Sequence, residues 1–180
     1  MLVVRAWPTD PPAGRPHVVD GWQRVPVDHY DYRPLCRLAG DVVSMDWDTA
    51  ISAEDLGAFC DMAGAYRSDV LVAPMRIYRA QPAPWNLAVV DELHGAQRVE
   101  TGGAAHLFGF GMVYLPGRLL ARWDAAHEDG APMTDQAFAS WHHEKVSEQV
   151  RVAWHIRPVH LHYPAAGTGR IEDVRTHASA

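Results

Sequence analysis

The chain has 180 residues, of which 48 % are hydrophobic, and this is enough apolar material for the core of one compact domain. Its formal net charge is -6, with 22 acidic residues against 16 Lys and Arg, so it lacks the basic surface that grips nucleic acid. Cys36 and Cys60 stand singly and far apart, which argues against a disulfide framework or a cysteine zinc site and favours a reducing cytoplasm.

The first predicted elements are short. Residues 2–6 form an apolar run without the long core and cleavage site of a signal peptide, so we predict a strand. Prolines between residues 8 and 16 then predict an irregular loop. Residues 18–27 are compatible with a second strand, and residues 32–38 with a short helix that ends at Gly40. No apolar run reaches the roughly eighteen residues that a membrane-spanning helix needs.

The clearest predicted strand runs from Asp41 to Met45 and leads into the tripeptide Asp46-Trp47-Asp48. Its acidic side chains therefore follow the carboxyl end of a strand, where open α/β sheets bind ligands. Carboxylates at positions i and i+2 of an extended chain point to the same side and can reach one hard cation. A turn with two solvated carboxylates is the alternative, and the context decides between them.

A helix and a further strand supply that context. Ser52, with Asp55 three residues later, forms a capping-box start, and apolar residues at helical spacing predict a helix over residues 53–65. The run from Asp69 to Tyr78 predicts the next strand. The strand, helix and strand have a length suited to a right-handed crossover.

The second half of the chain adds three predicted elements and a tail. Residues 107–115 predict a strand, and Thr134 can cap a helix from residue 135 to about residue 149. Residues 150–163 are rich in β-forming side chains. Small and polar residues dominate residues 164–180, which predicts a flexible tail.

The stretch from Arg37 to Asp48 resembles the GT-A glycosyltransferases, whose D-x-D motif holds a divalent metal against the diphosphate of a nucleotide-sugar donor. Over about residues 30 to 163 the chain is similar to small glycosyltransferase-like proteins of actinobacteria and their phages. The expected fold is an abbreviated GT-A-like α/β domain over residues 1–163, with three α/β/α layers around a mostly parallel mixed sheet. Because 45 residues precede Asp46, the nucleotide region is shorter than these families usually have.

The resemblance implies roles for several residues. Asp46 and Asp48 would hold Mn²⁺ or Mg²⁺, and His160 or His162, which share one strand face, would complete the metal shell. Asp135 would be the catalytic base at the start of its helix. An acid in a first helical turn is also commonly only a capping charge.

Donor contacts are expected at the ends of strands and in the glycine-containing strand. The predicted donor-binding residues are Arg5, Trp7, Arg37, Trp47, Gly109 and Gly111. The two glycines correspond to a strand that lines the donor and acceptor pocket in the related families. The contacts at the end of the first strand match no family motif.

The leading hypothesis is a metal-dependent glycosyltransferase of the cytoplasm that moves a sugar from a nucleotide-diphosphate donor to an acceptor hydroxyl, with inversion. The acceptor, whether protein, lipid or glycan, is open. Two alternatives are kept: a metal enzyme of another class that uses an Asp and His site, and a degenerate noncatalytic module of the same fold.

Overall fold

The computed structural model describes residues 1–15, 17–28, 30–75, 87–91, 95–98, 105–146, 150–161 and 176–177. Within these residues the helices are α1 (Ala53–Ala65), α2 (Gly117–Ala126) and α3 (Asp135–Lys145), with a 3-10 helix over Arg33–Arg37. The strands are β1 (Leu2–Pro8), β2 (His17–Val18), β3 (Gln23–Val27), β4 (Val42–Asp46), β5 (Thr49–Ala50), β6 (Val70–Val72), β7 (Leu87–Asp91), β8 (Gly95–Arg98), β9 (Leu107–Phe108), β10 (Met112–Leu115), β11 (Val150–Val152), β12 (Val159–His160) and β13 (Thr176–His177).

A six-stranded mixed sheet forms the centre, in the order β11-β6-β10-β4-β1-β3. Strand β1 pairs in parallel with β3 on one side and with β4 on the other. Strand β10 runs antiparallel between β4 and β6, and β11 is parallel to β6. The sheet is therefore mostly parallel, as expected, with one reversed strand.

Side chains of β4 alternate between two apolar layers, because successive side chains of a strand point to opposite faces. Val42 packs with the layer of α2 and α3, whereas Val43 and Met45 pack with the layer of α1. The helices contribute buried residues to these layers: Leu119, Leu120, Trp123 and Phe138 on the first face, and Leu56, Phe59 and Ala63 on the second. Each large side chain buried in this way stabilises the fold by roughly 1.5–3 kcal/mol. The predicted α/β class with three layers is confirmed.

Several predicted elements are confirmed in detail. The helix expected over residues 53–65 is α1, and the Ser52 side chain accepts the Asp55 backbone N–H at 3.1 Å. Thr134 caps α3 in the same manner, accepting the Ala137 N–H at 3.0 Å. Helix α3 ends at Lys145, and residues 147–149 of the predicted helix lie outside the described residues.

Other predictions were wrong. The strand expected over residues 107–115 is two strands, since β9 joins β7 and β8 while β10 enters the central sheet. Glycines at positions 109 and 111 separate them, and glycine in a strand often marks such a break. Helix α2 was not predicted, because Pro116 and Gly117 at its start were not recognised as a helix N-terminus. Two-stranded pairs, β5 with β12 and β2 with β13, accompany the main sheet.

The tail predicted for residues 164–180 lies outside the described residues except at β13. None of the helices in the described parts of the chain has both the length and the apolar character needed to cross a membrane.

Candidate functional site

The acidic tripeptide lies at a switch point of the central sheet. From β1 the chain passes to β3 on one side of β1, and β4 is then placed on the other side. In open α/β sheets, connections that leave in opposite directions open a crevice at the carboxyl ends of the strands. Asp46 is the last residue of β4, and Asp48 follows in the turn to β5.

Each carboxylate of the pair has a polar neighbour from a remote part of the chain. The Tyr32 hydroxyl donates to Oδ1 of Asp46 at 2.9 Å. Nε2 of His160 lies 3.2 Å from Oδ2 of Asp48, a residue that is only 3 % exposed. His160 reaches this position because β12 pairs with β5, with His160 opposite Thr49.

Burial sets the electrostatics of this pair. Burial and the charge of Asp48 raise the pKa of Asp46 to about 7, and the Tyr32 hydrogen bond acts in the opposite direction. Burial also raises the pKa of Asp48 to about 6. For His160, burial lowers the pKa to about 4, so its contact with Asp48 is that of a neutral imidazole at neutral pH.

Asp135 is placed on the same side of the sheet by the loop before α3. The Met133 N–H donates to Oδ1 of Asp31 at 2.9 Å, and the Tyr32 N–H donates to the Met133 carbonyl at 2.9 Å. These bonds hold the start of α3 beside the tyrosine that contacts Asp46. In agreement, the charge of Asp135 contributes to the raised pKa of Asp46 and of Tyr32.

Arg5 lies beneath the acidic turn and is 1 % exposed. Its guanidinium donates to the backbone carbonyls of Asp46 and Thr49 at 2.6 and 2.8 Å and contacts Asp20 at 2.8 Å. In this position Arg5 supports the turn from inside the fold, so any influence on a donor would be indirect.

An aromatic cluster includes Trp47, the middle residue of the acidic tripeptide. Trp47 stacks on His17 with ring centroids 6.0 Å apart, and Trp7 meets both rings edge-on at 5.4 and 6.1 Å. The Arg24 guanidinium lies 3.8 Å from the centre of the Trp7 ring. Two predicted donor-binding residues, Trp7 and Trp47, therefore belong to one aromatic cluster next to the carboxylates.

The remaining predicted site residues are Gly109, Gly111, Arg37 and His162. Gly111 contacts the site through its carbonyl, which accepts the Asp46 N–H at 3.0 Å. Gly109 lies between β9 and β10. Arg37 is exposed at the end of the 3-10 helix, ahead of the start of β4. His162 lies outside the described residues.

A metal centre made only of side chains is not present in the described parts of the chain, where no three His, Cys, Asp or Glu residues are grouped to hold an ion. His160 contacts Asp48, and the expectation that it completes a metal shell with Asp46 and Asp48 stays a prediction. Because Mg²⁺ commonly binds one or two carboxylates together with substrate phosphates, two acids suffice for a phosphate-dependent site. Two crowded carboxylates with raised pKa values fit such a cation, since its charge favours their ionised forms.

Three contributors to the site were not identified from the sequence: Tyr32, Asp20 and His17. Tyr32 and His17 contact the turn directly, and Asp20 acts through Arg5. All of these contacts join residues that are not neighbours in sequence. The spacing of residues carries no signal for contacts of this kind.

The comparisons with known proteins concern the fold. No protein-family model matches the chain, and no curated protein matches it. The crystal structure of A197 from STIV is similar, with a TM-score of 0.53 and 10% sequence identity, over 89% of this chain and 85% of that chain. At this identity the likeness shows a shared α/β arrangement, and the function must be argued from the residues of this chain.

Proposed function

We propose that the chain is a metal-dependent glycosyltransferase with a GT-A-like site that binds a nucleotide-diphosphate sugar. The observation that carries this proposal is the carboxylate pair of Asp46 and Asp48 at the switch point of the sheet, with raised pKa values and with Asp135 on the same side. A diphosphate would supply the metal ligands that side chains do not provide.

Asp46 and Asp48 would hold the cation, Mn²⁺ or Mg²⁺. When bound, the ion neutralises charge that develops on the leaving diphosphate. The hydrogen bond from Tyr32 favours the ionised form of Asp46, and His160 orients the carboxylate of Asp48 through its contact at 3.2 Å.

Asp135 would accept the proton of the acceptor hydroxyl as that oxygen attacks the anomeric carbon of the sugar. Thr134 fixes the start of α3 by capping, which holds the Asp135 backbone in place. The positive end of the helix dipole favours the carboxylate, whereas the negative charges of Asp46 and Asp48 oppose it. A cation at the pair would relieve that repulsion.

Calorimetric titration tests the donor site. The purified chain is titrated with UDP and with GDP, each with and without Mn²⁺, and binding is expected only when the metal is present. The Asp46→Asn, Asp48→Asn double variant is expected to lose it. A matched control is Asp61→Asn with Glu144→Gln, which removes two exposed acids and should bind as the parent protein does.

Two outcomes would contradict the proposal. Binding of nucleotide without metal, unchanged in the double variant, would place recognition elsewhere. Absence of binding to either nucleotide under every condition would favour the noncatalytic module. If metal-dependent binding is found, Asp135→Asn should retain it while abolishing transfer from a donor sugar, because the base acts only in the chemical step.

A further inference from the structure

Arg5 is a buried cation with an unusually complete set of contacts. Its Nη1 donates to the carbonyls of Asp46 and Thr49, and its Nε and Nη2 each lie 2.8 Å from Oδ2 of Asp20. These contacts use four of the five N–H donors of a guanidinium. Arg5 therefore joins three separate segments: β1, the segment after β2, and the acidic turn.

The backbone of the acidic turn is held at every carbonyl. Arg5 binds the first and the last of them, those of Asp46 and Thr49. The two between them accept backbone N–H groups at 2.9 Å, Trp47 from Val18 and Asp48 from Leu161. With its carbonyls fixed on these partners, the turn directs its carboxylates towards Tyr32 and His160.

We propose that Arg5 is a positioning residue that fixes the turn from Asp46 to Thr49 in the conformation that binds the cation, and that Asp20 balances the charge of Arg5. This inference rests on the proposed function for its ligand, but the positioning itself is a property of the turn. Arg5 holds the turn in a fixed geometry, because a planar guanidinium can bind two carbonyl oxygens while it also binds a carboxylate. A lysine ammonium has three N–H donors, so it cannot make all four of these contacts.

Asp20 supplies charge balance. A buried guanidinium next to a cation site would repel the cation, and the carboxylate of Asp20 offsets that repulsion from the side away from the turn. The side chain of Asp20 is 22 % exposed, whereas that of Arg5 is 2 % exposed. A substitution of Asp20 therefore disturbs the packing less than a substitution of Arg5.

Hydrogen exchange measured by NMR tests the positioning without any ligand. In Arg5→Lys, the amides of Val18 and Leu161 are expected to exchange at least tenfold faster, because the turn carbonyls that they bind lose their fixed geometry. The Ala153 amide, which binds the Val72 carbonyl at the far side of the sheet, should keep its rate. In Asp20→Asn all three amides should stay protected, since the fork of Arg5 remains in place.

The matched control is Arg151→Lys, which alters an arginine paired with Asp69 at the opposite edge of the same sheet. It should leave the exchange rates of Val18 and Leu161 unchanged. Unchanged rates of these two amides in Arg5→Lys would overturn the inference. So would a uniform acceleration of all three, which would mean that Arg5 only stabilises the fold.

Titration with Mn²⁺ and UDP separates this inference from the proposed function. Both Arg5→Lys and Asp20→Asn are expected to weaken the metal-dependent affinity by roughly 10- to 100-fold, the first through geometry and the second through charge. Affinities equal to that of the parent protein would contradict the pairing of the two roles. If the parent protein binds no metal, the proposed function fails, and the exchange rates alone decide whether Arg5 positions the turn.

Discussion

The two ends of β4 carry carboxylates in different circumstances. At the start, Asp41 accepts the Gly117 N–H at 3.0 Å and lies beside the Tyr114 hydroxyl, whose pKa burial and Asp41 raise to about 12. At the end, Asp46 accepts a hydrogen bond from Tyr32, and burial together with the charges of neighbouring acids raises the pKa of Asp46. The first carboxylate ties elements together, whereas the second belongs to a concentration of negative charge. An acidic residue thus acquires a structural or a binding role from its neighbours.

A cavity does not by itself distinguish the two ends. A cavity of about 130 Å³ lies at the Asp41 end, lined by Met1, Asp41, Ala63, Gly64, Arg67 and Tyr114. Its polar groups bind one another, since Tyr114 donates to the Arg67 carbonyl at 3.2 Å. The Asp41 end is therefore structural, the proposed binding site lies at the Asp46 end, and the following variants test that division.

The largest expected effect is that of Gly117→Ala at the Asp41 end. A Cβ there would lie 2.6 Å from the backbone C and O of Gly40, so the start of α2 must shift. We expect a loss of unfolding free energy on the order of 3 kcal/mol, measured in urea, with metal-dependent nucleotide binding unchanged where the protein is folded. Gly57→Ala, where a Cβ meets open space within α1, should instead stabilise by about 0.5–1 kcal/mol. Equal effects of the two would contradict the close contact.

The next effect is that of the Asp46→Asn, Asp48→Asn double variant on stability. Folding raises the pKa of both acids, so their ionisation destabilises the fold, and stability is lost as pH rises towards about 7. The variant should therefore be more stable than the parent by roughly 2 kcal/mol at pH 8, with the gain vanishing below about pH 4. Thermal unfolding from pH 4 to pH 8 measures this.

Asp41→Asn provides the contrast for the double variant, because removing its charge should not stabilise the fold at pH 8. Burial lowers the pKa of His160, so the pH dependence of its effect on stability is opposite to that of the two acids. Its contribution to the free energy of unfolding is lost as pH drops from about 6.5 towards 4. A double variant less stable than the parent at pH 8 would mean that the carboxylates are structural.

Tyr32→Phe tests the Asp46 end of β4 by removing a single hydroxyl. Loss of the bond to Asp46 should cost about 1 kcal/mol and raise the pKa of that carboxyl, since the bond lowers it. The pH midpoint of Mn²⁺-dependent nucleotide binding should then move upward. Tyr114→Phe removes a hydroxyl at the other end and should leave that midpoint unchanged. An equal shift of the pH midpoint in both variants would contradict the distinction between the two ends of β4.

The smallest effect concerns backbone strain near the binding end. Tyr30, two residues before Tyr32, has a φ of 64° and is 73 % exposed. Glycine adopts this conformation without the Cβ clash, whereas its greater conformational entropy in the unfolded chain opposes folding. We expect a net gain in unfolding free energy of about 0.5 kcal/mol for Tyr30→Gly. Tyr30→Ala, which keeps the clash, should bring no gain. Urea unfolding of both variants would show whether the strain is present.

Local patterns predicted much of the fold. The cap at Ser52 and the apolar spacing after it located α1, and the β-branched run after Asp41 located β4. Both depend on residues within a few positions of one another. The split between β9 and β10 was missed, because nothing local indicates that Leu107 and Met112 join different sheets.

The site was predictable only where its residues are neighbours in sequence. Asp46, Trp47 and Asp48 are adjacent, so the acidic turn could be recognised, whereas the partners of its side chains could not. Arg5 was expected to contact a donor because it ends near the carboxyl edge of β1. Its burial against the carbonyls of the turn depends on the register between β1 and β4, which composition and spacing do not specify.

The turn that carries the two acids has a consequence for biosynthesis. Its last backbone partner, the Leu161 amide, is made long after Asp48, as is the β12 strand that precedes Leu161. During translation the acidic segment therefore exists for some time without the neighbours that organise it, and long-range contacts of this kind form late in folding. Under the proposed function, a growing chain would therefore bind no metal at this turn before its native topology is complete.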